Sequence, residues 1–227
     1  MVSGGEIRQP YPIGDLEYGQ AVQAYKALPI APSYNREMTL REMLERCLDV
    51  AGLLTLEGRG YISSDADQND LVTGQTSFAN TTPTFILRVP TGTTCIPLGF
   101  SAGQGGTVAG DTVFVVGEFD FDKDAYASGG TSELVKSTLK NSPFANQCTL
   151  YSGATATAGY GVRNWYIQVA QDIAPAEGIS NEIIYTPFGI KPLIGPACWK
   201  IFTYAGTTGP SWGWQFEWLE IPTNRLG

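Results

Sequence analysis

Histidine is absent from all 227 residues. Its absence removes the usual general base near neutral pH and one of the commonest metal ligands. A Ser-His-Asp or Cys-His nucleophilic apparatus cannot be assembled within such a chain. Charge is scarce as well. Asp, Glu, Lys and Arg make up 16% of the residues, against about 25% in ordinary soluble domains. So little charge suggests a surface largely covered by partner subunits. The balance is acidic, with 22 carboxylates against 14 Lys and Arg and a formal net charge of -8. No stretch clusters basic residues as phosphate neutralisation requires, or as a polybasic membrane-surface segment does. The expectation is no nucleic-acid partner and no membrane partner.

Cysteine is sparse and dispersed. Cys47, Cys95, Cys148 and Cys198 stand far apart and form no CxxC, so neither a zinc knuckle nor a redox motif is indicated. They read as buried thiols acting as small apolar residues. One or two disulfides stay open as the alternative, because sequence cannot pair them. No apolar run reaches the ~18 residues of a membrane helix. The opening MVSGGEIRQP has no signal-peptide core, so the reading is a protein made and used without Sec export.

What is present falls into three parts: an arm over 1–37, a helix and linker over 38–56, and a β-sandwich domain over 57–227. Pro10, Pro12, Pro29 and Pro32 keep the arm extended. It also carries Tyr11, Tyr18, Tyr25 and Tyr34, more aromatic surface than a free solvated tail holds. The arm is therefore expected to lie on a surface, either its own domain's or a neighbouring subunit's. A T-x-x-E capping box at Thr39 and Glu42, then Leu40, Met43, Leu44, Cys47, Leu48 and Ala51 at helical spacing, predict a helix over 39–51. Gly52 is its expected stop.

Beyond Gly52 the pattern is β. Strands are predicted at 53–56, 59–63, 83–90, 94–100, 111–120, 147–152, 162–170, 181–186, 193–204 and 211–221, punctuated by Gly, Thr, Asn and Pro. Many short strands and no alternating helices indicate an all-β antiparallel sandwich. An eight-stranded jelly roll fits best, with an immunoglobulin-like sandwich as the alternative. Residues 64–82 and 121–146 read as polar insertions, the second with a short helix near Ser132–Lys140. The Gly-rich 101–110 reads as a hairpin connection.

Three stretches bear on chemistry. GEFDFDKDAY, 117–126, alternates Glu118, Asp120, Asp122 and Asp124. Carboxylates sharing one strand face repel unless a cation neutralises them. Asp120, Asp122 and Asp124 begin like a calcium loop, but Ala125 and Thr131 stand where its Gly and Glu belong. A solvated acidic edge is the plainer reading. SSDADQND, 63–70, fails the calcium pattern in the same way. Carboxylate pairs can hydrolyse glycosides without histidine, and Glu118, Glu217 and Glu220 are candidates, but the sequence brings no two of them together. Catalytic, cofactor and metal residues are accordingly expected to be none. Last, GPSWGWQFEWLEIP, 209–222, places Trp212, Trp214, Phe216 and Trp218 on one strand face. The row is either a stacking shelf for sugars or a buried face, in the core or in a subunit contact. The facing apolar residues of LIGPACWKIFTYAG favour burial.

The stretches TPTFILRVPTGTTCIPLGF, GDTVFVVGEFD, QCTLYSGATATAGYGV and YAGTTGPSWGWQFEWLEIPTN resemble the jelly-roll cement or decoration proteins of tailed-bacteriophage heads. The likeness covers roughly residues 50–222 and lies in general character, with Thr/Gly/Ala-rich turns, no histidine, low charge and an aromatic arm. It implies a structural virion protein on the capsid surface, made in the host cytoplasm and bound across major capsid protein subunits. It further implies a homotrimer, with contacts from Tyr11, Tyr18, Tyr25 and Tyr34 and from Trp212, Trp214 and Trp218, and no enzymatic activity. The alternative expectation is the glycan- or receptor-binding head of a viral fibre.

Overall fold

The computed structural model describes residues 50–65, 71–105, 112–159, 161–170, 182–185, 191–206 and 209–225. The chain divides into two compact units, Met1–Leu53 and Leu54–Gly227. The arm, with Tyr11, Tyr18, Tyr25 and Tyr34, lies outside the described residues, as do helix positions 39–49 and Cys47.

Helix α1 covers Val50–Leu56. It runs through Gly52 and takes in the 53–56 segment expected to be a strand. The sequence Leu-Leu-Thr-Leu suits either state, and the turn that follows decides between them. Gly58 adopts φ 88°. The Arg59 amide donates to the Leu54 carbonyl and the Gly58 amide to the Thr55 carbonyl, both at 2.9 Å. These bonds form the paired closure of a Schellman motif, with glycine in its left-handed position.

Among the described residues fifteen strands follow: β1 Gly60–Ser64, β2 Val72–Thr73, β3 Phe85–Val89, β4 Thr93–Gln104, β5 Thr112–Asp120, β6 Tyr126–Ser128, β7 Thr131–Ser132, β8 Lys136–Ser137, β9 Thr149–Ser152, β10 Thr155–Ala156, β11 Val162–Ala170, β12 Glu182–Tyr185, β13 Leu193–Ile194, β14 Ala197–Tyr204 and β15 Ser211–Pro222. One large sheet runs β12-β4-β15-β1-β8, with β13 beside β4 and β2 beside β15; the second runs β11-β5-β14-β3-β9-β7; β10 and β6 pair as a small sheet of their own. Their strand pairs are antiparallel. Lettering the eight principal strands β1, β3, β4, β5, β11, β12, β14 and β15 as B to I gives B-I-D-G against C-H-E-F. That is the jelly-roll order, and it sets aside the immunoglobulin alternative, whose sheets join other strands.

Several sequence expectations change in detail. The 193–204 segment is two strands, β13 in the first sheet and β14 in the second. It breaks at Gly195-Pro196, where proline removes a ladder donor and a Cβ on Gly195 would collide with the Pro90 carbonyl oxygen at 2.0 Å. Of the Gly-rich 101–110 stretch, 101–104 belong to β4 and 106–110 lie outside the described residues; β4 and β5 lie in different sheets, so the two strands do not form the expected hairpin. No helix forms near Ser132–Lys140. Burial alternates there from residue to residue, the period of extended chain. β7 pairs with β9 and β8 with β1, so this segment passes from one sheet to the other.

The core lies between the two sheets. Phe85 sits 5.0 Å from Trp214 and 5.5 Å from Phe216, ring centre to ring centre. Phe216 in turn meets Phe100 at 4.7 Å and Trp199 at 5.2 Å. A second, smaller cluster forms on the outer face of the β11-β5-β14-β3-β9 sheet. It joins Ile86 and Cys198 to Ala125, Ala154 and Ala156 from the chain between β5 and β11, with Tyr126 and Tyr151 packed beside them. Ala125 of the 121–146 insertion and the β10 turn region therefore cover part of this face.

Candidate functional site

The aromatic row of β15 faces inward. Trp212, Phe216 and Trp218 are fully buried and Trp214 is 6% exposed, within this single chain. The row is core, and Trp212, Trp214 and Trp218 are corrected from contact residues to interior ones. The same burial rules out a stacking shelf.

The acidic alternation of 117–126 does not gather into a calcium site. β5 ends at Asp120, so Asp122 and Asp124 lie past the regular strand and turn to different partners. Asp122 is exposed. Asp124 takes the Arg88 guanidinium, Nε at 2.9 Å and Nη2 at 2.5 Å, and accepts the Tyr126 amide at 3.0 Å. The ion pair holds the Arg88 pKa above its ordinary value, and the same guanidinium lies over the Tyr126 ring at 4.4 Å. Among the described residues no three of Asp, Glu and Cys converge as a metal would require. Of the second acidic stretch, Asp67, Asn69 and Asp70 lie outside the described residues.

Glu118 and Asp120 meet a cation from the neighbouring strand. In the β5–β14 register Lys200 stands opposite Glu118, and Cys198 opposite Asp120. Directly opposed residues project to the same side of a sheet. The Lys200 ammonium lies 2.8 Å from Asp120 Oδ2 and 3.3 Å from Glu118 Oε2. Lys200 and Glu118 are 0% exposed and Asp120 is 3% exposed. Burial alone would lower the lysine pKa, but the two carboxylates outweigh it and hold the pKa above its ordinary value. The Cys198 thiol donates weakly to Asp120 Oδ2 at 3.6 Å, and burial pushes its pKa up to about 12. The cluster shares its face with Phe202, whose ring centre is 5.7 Å from the ammonium. A charged pair in such a setting is dry and tightly held.

The other candidate carboxylates lie apart. Glu220 projects into the far end of the core and accepts three hydrogen bonds: Trp218 Nε1 at 2.8 Å, the Cys148 amide at 3.1 Å and the Gln147 amide at 2.6 Å. Glu217 is half-buried and takes the Gln215 amide nitrogen at 2.7 Å. With Glu118 across the sandwich in the other sheet, the glycosidase pairing considered from sequence is not assembled.

A cleft of about 450 Å³ opens beside β2 and β7, lined in part by Asp65, Thr73, Thr131, Glu133, Ser152 and Trp214. Ser152 donates to Glu133 in a very short hydrogen bond. Leu71, Val72 and Leu134 also line it and Trp214 is nearly buried, so this is a recess of mixed polarity and not an aromatic platform. Among the described residues, exposed apolar side chains fall in two groups: Val162, Ile184 and Ile194 on the edge strands β11, β12 and β13, and Leu56, Phe121, Leu134 and Phe144 at the end of α1 and in the chain between β5 and β9.

Sequence reasoning missed Lys200 as a partner for the acidic strand. The signal was there, since a lone lysine interrupts ACWKIFTY, and Glu118 and Asp120 interrupt TVFVVGEFD. A charge in an otherwise apolar strand must be paired if it is buried. Neither a protein-family model, nor a curated protein, nor a solved structure matches the chain.

Proposed function

We propose that this chain is a structural virion protein, a capsid decoration or cement protein that binds across major capsid protein subunits on the surface of a phage head. The observation that carries the reading is the B-I-D-G and C-H-E-F strand order, an architecture used by viral capsid and lectin domains. Because one fold hosts many functions, the surface has to narrow the choice. Low overall charge suits a protein largely covered by neighbours. Its mechanism is mechanical. Contacts spread over several capsid subunits raise the free energy of separating them, and obligate contacts of this kind are large and apolar.

In this reading the chain is a homotrimer, made in the host cytoplasm and held on the particle by its aromatic arm. With the β15 tryptophans in the core, subunit contact falls to exposed apolar residues of the edge strands, Ile184 and Ile194 among them. The test is immunogold labelling of phage particles banded from the culture that encodes the chain. Label on the heads is the expected result, and particles without label overturn the reading. The recess at Asp65 and Glu133 favours a second reading, a glycan- or receptor-binding head. That reading expects a saturable change in tryptophan fluorescence as oligosaccharides are titrated.

A further inference from the structure

The buried cluster on β5 and β14 has the composition of a reacting site. A primary amine stands at 2.8 Å from one carboxyl oxygen of Asp120 and at 3.3 Å from Glu118. All three groups are withdrawn from water. Two carboxylates stand beside the one buried ammonium, and Arg163 of β11 is the register partner of Glu118 on the other side of β5. Burial of that kind is costly unless further groups answer it.

We propose that Lys200 and Asp120 join in an intramolecular isopeptide bond, with Glu118 as the proton carrier. In the resting cluster the proton sits on Lys200. Passing it to Asp120 turns an ion pair into a neutral amine and a neutral acid, a transfer between groups already 2.8 Å apart. The Nζ lone pair then attacks Asp120 Cγ, which lies one bond beyond the oxygen it already touches. Glu118 takes a proton from the attacking nitrogen and returns it to the departing hydroxyl. One C–N bond forms, one C–O bond breaks and one water leaves. Lys200 and Asp120 end as a neutral amide and Glu118 ends as it began, a carboxylate. Neither oxidant nor reductant is required. Fixed geometry supplies the near-attack arrangement, and exclusion of water opposes the reverse hydrolysis. The product ties two neighbouring strands of the C-H-E-F sheet covalently.

The decisive measurement is the intact mass of the purified full chain, reduced and denatured. The expected value is one water below the sequence mass, with a branched peptide joining the Asp120 and Lys200 segments after proteolysis. A full sequence mass overturns the proposal, and so does a water loss that maps to other residues. Lys200→Arg keeps the positive charge and is expected to restore the full mass. Glu118→Gln is expected to restore it too, at unchanged circular dichroism. A branched peptide that persists in Glu118→Gln overturns the role given to Glu118.

Discussion

Glu220 shows how one side chain can carry a local structure. Its carboxylate is buried, yet each contact it makes is a charge-assisted hydrogen bond, and two of them hold the Gln147 and Cys148 amides. Glu220→Gln replaces one acceptor oxygen with a donor facing those amides. We expect a loss of about 1–3 kcal/mol in denaturant unfolding, and faster hydrogen exchange at Gln147 and Cys148. The thiols give a second residue-scale prediction. Burial lifts Cys198 from 9.0 to about 12 and raises Cys148 well above the same starting value. It also raises Tyr61, with Glu220 adding to the effect. The unfolded chain releases these protons at lower pH than the folded protein. Stability from these groups is therefore intact below about pH 9 and falls as pH rises toward about 12. Urea midpoints measured on both sides of that boundary check it, and a disulfide-exchange reagent should label Cys148 and Cys198 only on unfolding.

Among the elements, the end of α1 offers a clean test. Gly58→Ala puts a Cβ into a left-handed backbone and 2.6 Å from Ser142 Oγ. We expect a cost of about 1–2 kcal/mol from the backbone alone, read as a lower thermal midpoint. On the inner face, Phe216→Ala removes a ring that touches Phe85, Phe100 and Trp199. The expected loss is about 3–5 kcal/mol, with an unchanged denaturant slope. These elements also show what was legible in advance. The alternation of β15, the long β-branched run of β5 and the turn residues between strands marked most strands to within a few positions, because period two is written directly in residue order. Two features were not legible. Leu53–Leu56 carries no period long enough to separate helix from strand, and its state is settled by Gly58 after it. The Lys200 pairing depends on the β5–β14 register, a contact between residues about eighty positions apart that no local pattern encodes. The turn at Gly195-Pro196 belongs with these, since the switch between sheets is a property of the fold and not of the dipeptide.

For the whole molecule, the prediction concerns assembly. If the edge strands carry the subunit contact, Ile184→Asp should shift the mass measured by light scattering from trimer to monomer. Its thermal midpoint as a monomer should stay close to that of the wild-type chain, because Ile184 is 67% exposed and contributes nothing to the core. A wild-type chain that is monomeric at every concentration removes the preformed trimer. Among the described residues no helix is long and apolar enough to cross a membrane.

The position of β15 has a consequence for how the protein is made. It lies between β1 and β4, pairing Gly60 with Leu219 on one side and Thr93 with Pro222 on the other, yet it follows every other strand of its sheet in the chain. At ~5–20 residues per second, β1 waits on the order of ten seconds after its own synthesis for the neighbour that completes it. Until then Phe85, Phe100 and Trp199 lack the Phe216 ring on which all three pack, and the nascent chain is a sandwich missing a central strand of one sheet. Closure of this sheet thus waits for β15, and a ribosome that stalls before residue 211 leaves a sandwich without the strand that joins β1 to β4.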